Sequence, residues 1–265
     1  MAWNLLKKSH LTQRPTPAPP LLSHAEDREL DVIVQRLMHI EETVRKLTKE
    51  TKRYLESMDN LDRADQRLSA NLSTCDLAHT NDEFRKIVEE YHSVTTQVGK
   101  NVQETMALCQ KTFIEPLKKL RDLFAIIAEA LAKREELVAT WKCTYNRLKK
   151  LQERKDRTAS HIAKVERERR IEEAAAKELK NCHSQLLIDF PAFLDKRLEY
   201  IEPSIHAFIM IQLNYYGSTM ELFAQLMSQK SSSSPERIST NDDEYQKKIT
   251  EQFNRIRGLT IVKDD

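Results

Sequence analysis

The sequence predicts an all-α protein of three long, kinked helices that form an antiparallel coiled coil. Three observations carry this. Only Gly99, Gly217 and Gly258 are glycine among 265 residues, and no Asn-Gly or Asp-Gly pair occurs. The tight hairpins of a β fold therefore lack their turn chemistry. Apolar residues recur at alternating spacings of three and four over long stretches. Four of the eight prolines crowd into Arg14 to Pro20, and Pro235 follows the serine run 231–234. These breaks set off a leader (1–22, basic and Pro-rich) and a polar tail (230–265) from a folded domain over 23–229. Both flanks are expected to be mobile.

The composition agrees with that division. Charged residues make up 32%, aromatics 6%, and mean hydropathy is -0.62. Such a chain suits narrow apolar seams between amphipathic helices rather than a thick core.

The first helix starts after Ser23, which with Glu26 has capping-box spacing. One heptad row reads Leu30, Leu37, Val44, Thr51, Met58, Asp65, Leu72. The other reads Ile33, Ile40, Leu47, Tyr54, Leu61, Leu68. Eleven of these thirteen positions are apolar, the pattern of a coiled-coil seam. A break follows over 73–81. Thr80 and Glu83 again have capping-box spacing, and a second helix is predicted from about Asp82 to about Lys155. At 1.5 Å per residue it would be on the order of 110 Å long. Pro116 lies inside it and should bend it, because the apolar pattern resumes at once. A polar turn over 156–160 leads to a third helix, Ser160 to about Gln229, bent at Pro191 and Pro203. In the tail, Ile249, Phe253 and Ile256 suggest a short helix.

The end of the third helix is apolar nearly all round. Its residues Ile205, Phe208, Ile209, Leu213, Tyr216 and Phe223 have no evident cover within one thin protomer, so they are expected to form the interface of a homodimer. The longest nearly apolar run, 205–216, is too short to span ~30 Å of hydrocarbon.

Charge is concentrated. The segment 142–170 holds eleven basic residues and four acidic ones, an excess of seven in a chain whose net charge is +2. It straddles the turn between the second and third helices. Lys142, Arg147, Lys149, Lys150, Arg154, Lys155, Arg157, Lys164 and Arg167 are the candidates for contact with anionic lipid. Lys118, Lys119, Lys133 and Arg134 on the second helix join them. Each basic residue near such a surface contributes on the order of 1 kcal/mol. A solvated helix face is the alternative. Acidic residues dilute the cluster and no aromatics interleave with it, which argues against nucleic acid. At the N-terminus, Trp3, Leu5 and Leu6 could insert at a bilayer interface; a disordered tail is the other reading.

No catalytic or metal constellation is expected, and no cofactor. Cys75, Cys109, Cys143 and Cys182 lack zinc-ligand or redox spacing. The recurring 34-residue interval between the first three has no accompanying sequence repeat. Cys182 and His183 are adjacent, so they point to different helix faces. Free thiols fit a reducing cytosol.

Two segments carry a resemblance. The run Phe113-Ile114-Glu115-Pro116-Leu117-Lys118-Lys119-Leu120 resembles the helix-two kink motif of BAR domains in the amphiphysin and bridging-integrator family. The run from Phe190-Pro191 to Glu202-Pro203 resembles that family's helix-three motif. The termini, Met1-Ala2-Trp3 and Gly258 to Asp265, are similar to the short bridging-integrator branch. The resemblance implies a crescent-shaped antiparallel dimer with a six-helix centre that binds curved, anionic phospholipid membrane. It implies a cytoplasmic, cortical adaptor linked to actin organisation, endocytosis and cytokinesis. Implied partners are Rho-family GTPases, actin regulators and a related BAR protein in a heterodimer. The family leader is a longer amphipathic segment; here prolines 15 to 20 interrupt it, which favours curvature sensing by shape and charge. The alternative from a different class is a coiled-coil scaffold that binds proteins and not lipid.

Overall fold

A computed structural model describes residues 9–154, 158–228 and 242–259. Every regular element among them is helical: α1 (His24–Thr74), α2 (Asp76–Thr80), α3 (Asp82–Cys109), a π turn (Gln110–Ile114), α4 (Glu115–Gln152), α5 (Ala159–Ser228) and α6 (Asp242–Arg257). The chain divides into two compact units, Met1–Leu222 and Phe223–Asp265.

In the first unit, α1 begins as its sequence predicts. The Ser23 hydroxyl accepts from the Glu26 N–H at 3.1 Å, and the Ser23 N–H donates to Glu26 Oε2 at 2.7 Å. Those bonds hold the Glu26 carboxyl below its ordinary pKa. The second helix starts differently. Thr80 ends the one-turn α2, and Asn81 caps α3 by accepting from the Phe84 N–H at 3.0 Å.

α3 and α4 are one continuous rod with a widened turn where the sequence carries Pro116. The Glu115 N–H bonds back to the Gln110 carbonyl, five residues earlier. A π turn at this point accommodates a proline that lacks an N–H. The Pro116 carbonyl also accepts from the Tyr200 hydroxyl at 3.3 Å. α5 passes through Pro191 and Pro203 without a break.

The helices pack along three clusters. Leu30, Leu37 and Val44 of α1 meet Phe113, Leu117, Phe124 and Leu131 of the rod, and Leu186, Phe190 and Leu194 of α5. Leu55 and Met58 meet Val98, Val102 and Cys109. Val138, Trp141 and Leu179 form the third cluster with Ala18 and Leu22 of the leader. Full burial of each large side chain contributes about 1.5–3 kcal/mol.

The seam of α1 differs by one residue from the sequence reading. Its buried positions are Asp27, Leu30, Ile33, Val34, Leu37, Glu41, Val44, Thr48, Thr51, Leu55, Met58 and Ser69, so the expected first row holds from Leu30 to Met58 and the second holds at Ile33 and then shifts by one residue. Leu47, Leu61 and Leu68 of the expected second row are exposed. Two polar residues, Glu41 and Thr48, hid the shifted row. Thr48 and Thr51 satisfy their hydroxyls on the carbonyls of Val44 and Leu47. Glu41 is satisfied by the leader.

Residues 9–22 are therefore not a mobile flank. They lie against the bundle, with Leu11, Ala18 and Leu22 buried. The second unit contains the last turn of α5 and all of α6. Tyr245, Ile249, Phe253 and Ile256 of α6 are exposed.

Candidate functional site: a cationic end beside a pinned leader

The α4–α5 hairpin end is built by two bridges. Trp141 is buried and its indole N–H donates to Glu172 Oε1 at 2.8 Å. One turn further out, Arg147 Nη1 lies 3.6 Å from Glu168 Oε2. These contacts fix the two helices side by side and leave their outer faces to solvent.

On those faces Lys149, Lys150, Arg154, Lys164 and Arg167 are exposed. None of the five makes an ion pair among the described residues. Arg169 and Arg170 are occupied by Glu173 and Glu166 of their own helix. Lys164 and Arg167 are three residues apart on α5 and share a face. Lys155 and Arg157 lie outside the described residues, as do Trp3, Leu5 and Leu6. Lys119 and Lys133 are exposed on α4, and Lys118 is half-buried. Lys142 donates to the Pro17 carbonyl at 2.9 Å, so its ammonium is partly committed to the leader.

Arg134 must be removed from this cationic set. Its side chain is 0% exposed. It occupies a seam position between Leu131 and Val138, where helical spacing alone points it inward. Nη2 pairs with Asp27 Oδ1 at 3.1 Å and Nη1 with Glu135 Oε1 at 2.7 Å. Nη1 also donates to the Thr16 carbonyl at 3.0 Å, and Nε to His183 Nδ1 at 3.3 Å. Asp27 Oδ2 in turn accepts from the Ala18 N–H, and Glu135 from the Thr16 N–H. A guanidinium is always charged and donor-only, so this buried hub is stable only with carboxylates and acceptors around it. The ring of His183 is neutral there. Burial, and next the Arg134 charge, push its pKa below the ordinary 6.5.

Glu41 forms a second anchor. It is 2% exposed and accepts from Ser9 Oγ at 2.7 Å, the His10 N–H at 2.7 Å and the Leu11 N–H at 3.1 Å. Sequence reasoning missed both anchors. The signal for Arg134 was its place in the seam. Bonds from leader backbone to carboxylates leave no side-chain pattern to find.

The end of α5 has two faces. Phe208 is half-buried and packs inward, stacked on Phe113 with ring centroids 4.7 Å apart and edge-on to Tyr54. Ile205, Ile209, Leu213 and Tyr216 are exposed. Phe223, on the α5 turn of the second unit, is exposed as well. Among the described residues no cluster of His, Cys, Asp and Glu could hold a metal ion, and no helix is long and apolar enough to cross a membrane.

Comparison with known proteins adds the family. The BAR domain matches residues 23–232. The chain is 24% identical to the bridging integrator 3 homolog of Xenopus laevis over 265 residues, all of both chains. It is 24% identical to bridging integrator 3 of Homo sapiens, over 94% of this chain and 96% of that one. It is 24% identical to protein hob3 of Schizosaccharomyces pombe, over 99% and 98%. A solved structure, the N-terminal I-BAR domain of D. Discoideum IBARa, is similar with a TM-score of 0.49 at 13% identity, over 88% of this chain and 100% of that one. The family match spans α1 to the end of α5, and on it the chain belongs to the BAR-domain family.

Proposed function

We propose that this protein is a non-catalytic adaptor that dimerises, binds curved anionic membrane through the exposed cations of its α4–α5 end, and links that membrane to actin organisation, endocytosis or cytokinesis. The observation that carries the membrane reading is the group Lys149, Lys150, Arg154, Lys164 and Arg167, exposed and without ion pairs among the described residues. At roughly 1 kcal/mol each, five such residues suffice for reversible association. A dimer doubles the number in one particle, and avidity follows. Lys119 and Lys133 extend the cationic surface along α4. Lys155 and Arg157 would add to it.

The homodimer reading rests on Ile205, Ile209, Leu213 and Tyr216, exposed on a helix whose opposite face is packed. Leu47, Leu61 and Leu68 of α1 are exposed too. Apolar surface on this scale marks an interaction face. Rho-family GTPases, actin regulators and a related BAR chain in a heterodimer are the further partners of this reading, with a cytoplasmic, cortical location. Membrane is bound by charge and shape; insertion of Trp3, Leu5 and Leu6 is not required.

Sedimentation with vesicles tests the reading. Binding should rise with anionic lipid content, rise with curvature and fall with salt. Dimers that ignore anionic vesicles at low salt would instead favour a scaffold that binds proteins alone.

A further inference from the structure

The leader contains a pattern that membrane binding does not use. Arg14-Pro15-Thr16-Pro17-Ala18-Pro19-Pro20 places a basic residue three positions before one proline and that proline three positions before another. In a polyproline II helix the repeat is three residues. Arg14, Pro17 and Pro20 would then lie along one edge. SH3-type modules read that edge: two aromatic-lined slots take the prolines and an acidic pocket takes the cation.

The structure leaves those three positions open. Arg14, Pro17 and Pro20 are exposed, as are Thr16 and Pro19, whereas Pro15 is half-buried and Ala18 is fully buried against the bundle. Arg14 stands 3.8 Å from Asp31 with 70% of its side chain exposed. The edge that a proline-reading groove needs therefore faces outward. Two features keep the ligand incomplete in the docked leader. The N–H groups of Leu21 and Leu22 both bond to the Ala18 carbonyl at 3.0 Å, which curls the chain through Pro19 and Pro20. The Thr16 backbone is held at both ends, its N–H by Glu135 and its carbonyl by Arg134. A groove that takes the whole edge must straighten that turn and draw Ala18 and Leu22 away from Trp141.

We infer that residues 14–20 are a masked proline ligand for an SH3-type groove in a partner protein, available when the leader leaves the bundle. Docking and partner binding compete for the same segment. The intact chain then binds more weakly than the free peptide, by the fraction of time the leader is undocked.

The test uses an isolated SH3 domain of the class that reads a cation ahead of two prolines, titrated calorimetrically. The probes are a peptide of residues 11–23, the full chain, and two full-length release variants. Leu22→Glu removes the apolar anchor. Glu135→Ala frees the Thr16 N–H at the surface and serves if Leu22→Glu fails to fold. The peptide should bind, and the full chain at least ~5-fold more weakly. Either folded release variant should bind measurably more tightly than the wild-type chain, toward the affinity of the peptide. Pro17→Ala with Pro20→Ala should abolish binding in every form. A peptide that does not bind overturns the inference. So does binding that survives loss of both prolines. Equal affinity for the intact chain and the peptide overturns the masking, as does a folded release variant that binds no better than the wild type.

Discussion

Arg134 of α4 and Asp27 of α1 form a buried ion pair, 3.1 Å from Nη2 to Oδ1, with 0% and 8% of their side chains exposed. The same two residues hold Thr16 and Ala18 of the leader by their backbone groups. One pair thus joins two helices and a segment that its composition would leave free. Arg134→Ala should destabilise the protein by about 3–5 kcal/mol, because Asp27 would remain buried and unpaired. Urea unfolding measures this. Residues 9–22 should also lose their protection in amide exchange. A variant as stable as the wild type would show that the pair is not what holds this corner.

His183 makes the hub sensitive to pH. Its pKa is lowered by burial and then by Arg134. Below the ordinary value of 6.5 the unfolded chain takes up a proton that the folded one refuses, so stability falls as pH drops through that range. His183→Gln should flatten this part of the stability profile. Unfolding curves above and below pH 6.5 check it; an unchanged slope in the variant would assign the pH dependence elsewhere.

Gly99 sits where α1 and α3 approach closely. A Cβ there would lie 2.7 Å from Asp62 Oδ1 and 2.8 Å from Gln66 Nε2. Both atoms end flexible side chains, but Gln66 also donates to the Thr95 carbonyl at 2.7 Å. Gly99→Ala should stay within about 1 kcal/mol of the wild type, since better helix propensity offsets the shift. Gly99→Leu should cost about 1–3 kcal/mol through overpacking. Denaturant midpoints separate the two.

The exposed face of α5 predicts assembly. Ile209 is 54% exposed and Leu213 62% in the protomer. Ile209→Glu should convert dimer to monomer while leaving the helical signal intact, because the side chain makes no part of the buried clusters. Sedimentation velocity reads the outcome. A variant that sediments as the wild type would move the interface away from this face.

The long helices were legible because seams repeat over many turns, so single errors average out. The Ser23 cap and the position of the Pro116 disruption could also be read directly. Where the seam carries a polar residue, the reading slipped. Glu41 and Thr48 pushed the second row of α1 onto its neighbours, and Arg134 passed as a surface cation because Lys133 precedes it. Adjacent helical residues diverge by about 100°, so one is exposed and the other buried. The inward packing of Phe208 on Phe113 was not legible for a related reason: a helix apolar on two faces gives no internal clue to which residue turns inward. The docking of the leader had no legible signal, since it rests on backbone donors meeting distant carboxylates.

The most direct test of the membrane account is charge reversal at the α4–α5 end. Lys149→Glu, Lys150→Glu and Arg154→Glu, combined in one chain, touch no buried cluster and break no ion pair among the described residues. Each reversal exchanges an attraction on the order of 1 kcal/mol for a repulsion. Binding to anionic vesicles at low salt should fall by about 100-fold or more, with dimer and helix content unchanged. Undiminished binding by a folded, dimeric variant would contradict the account.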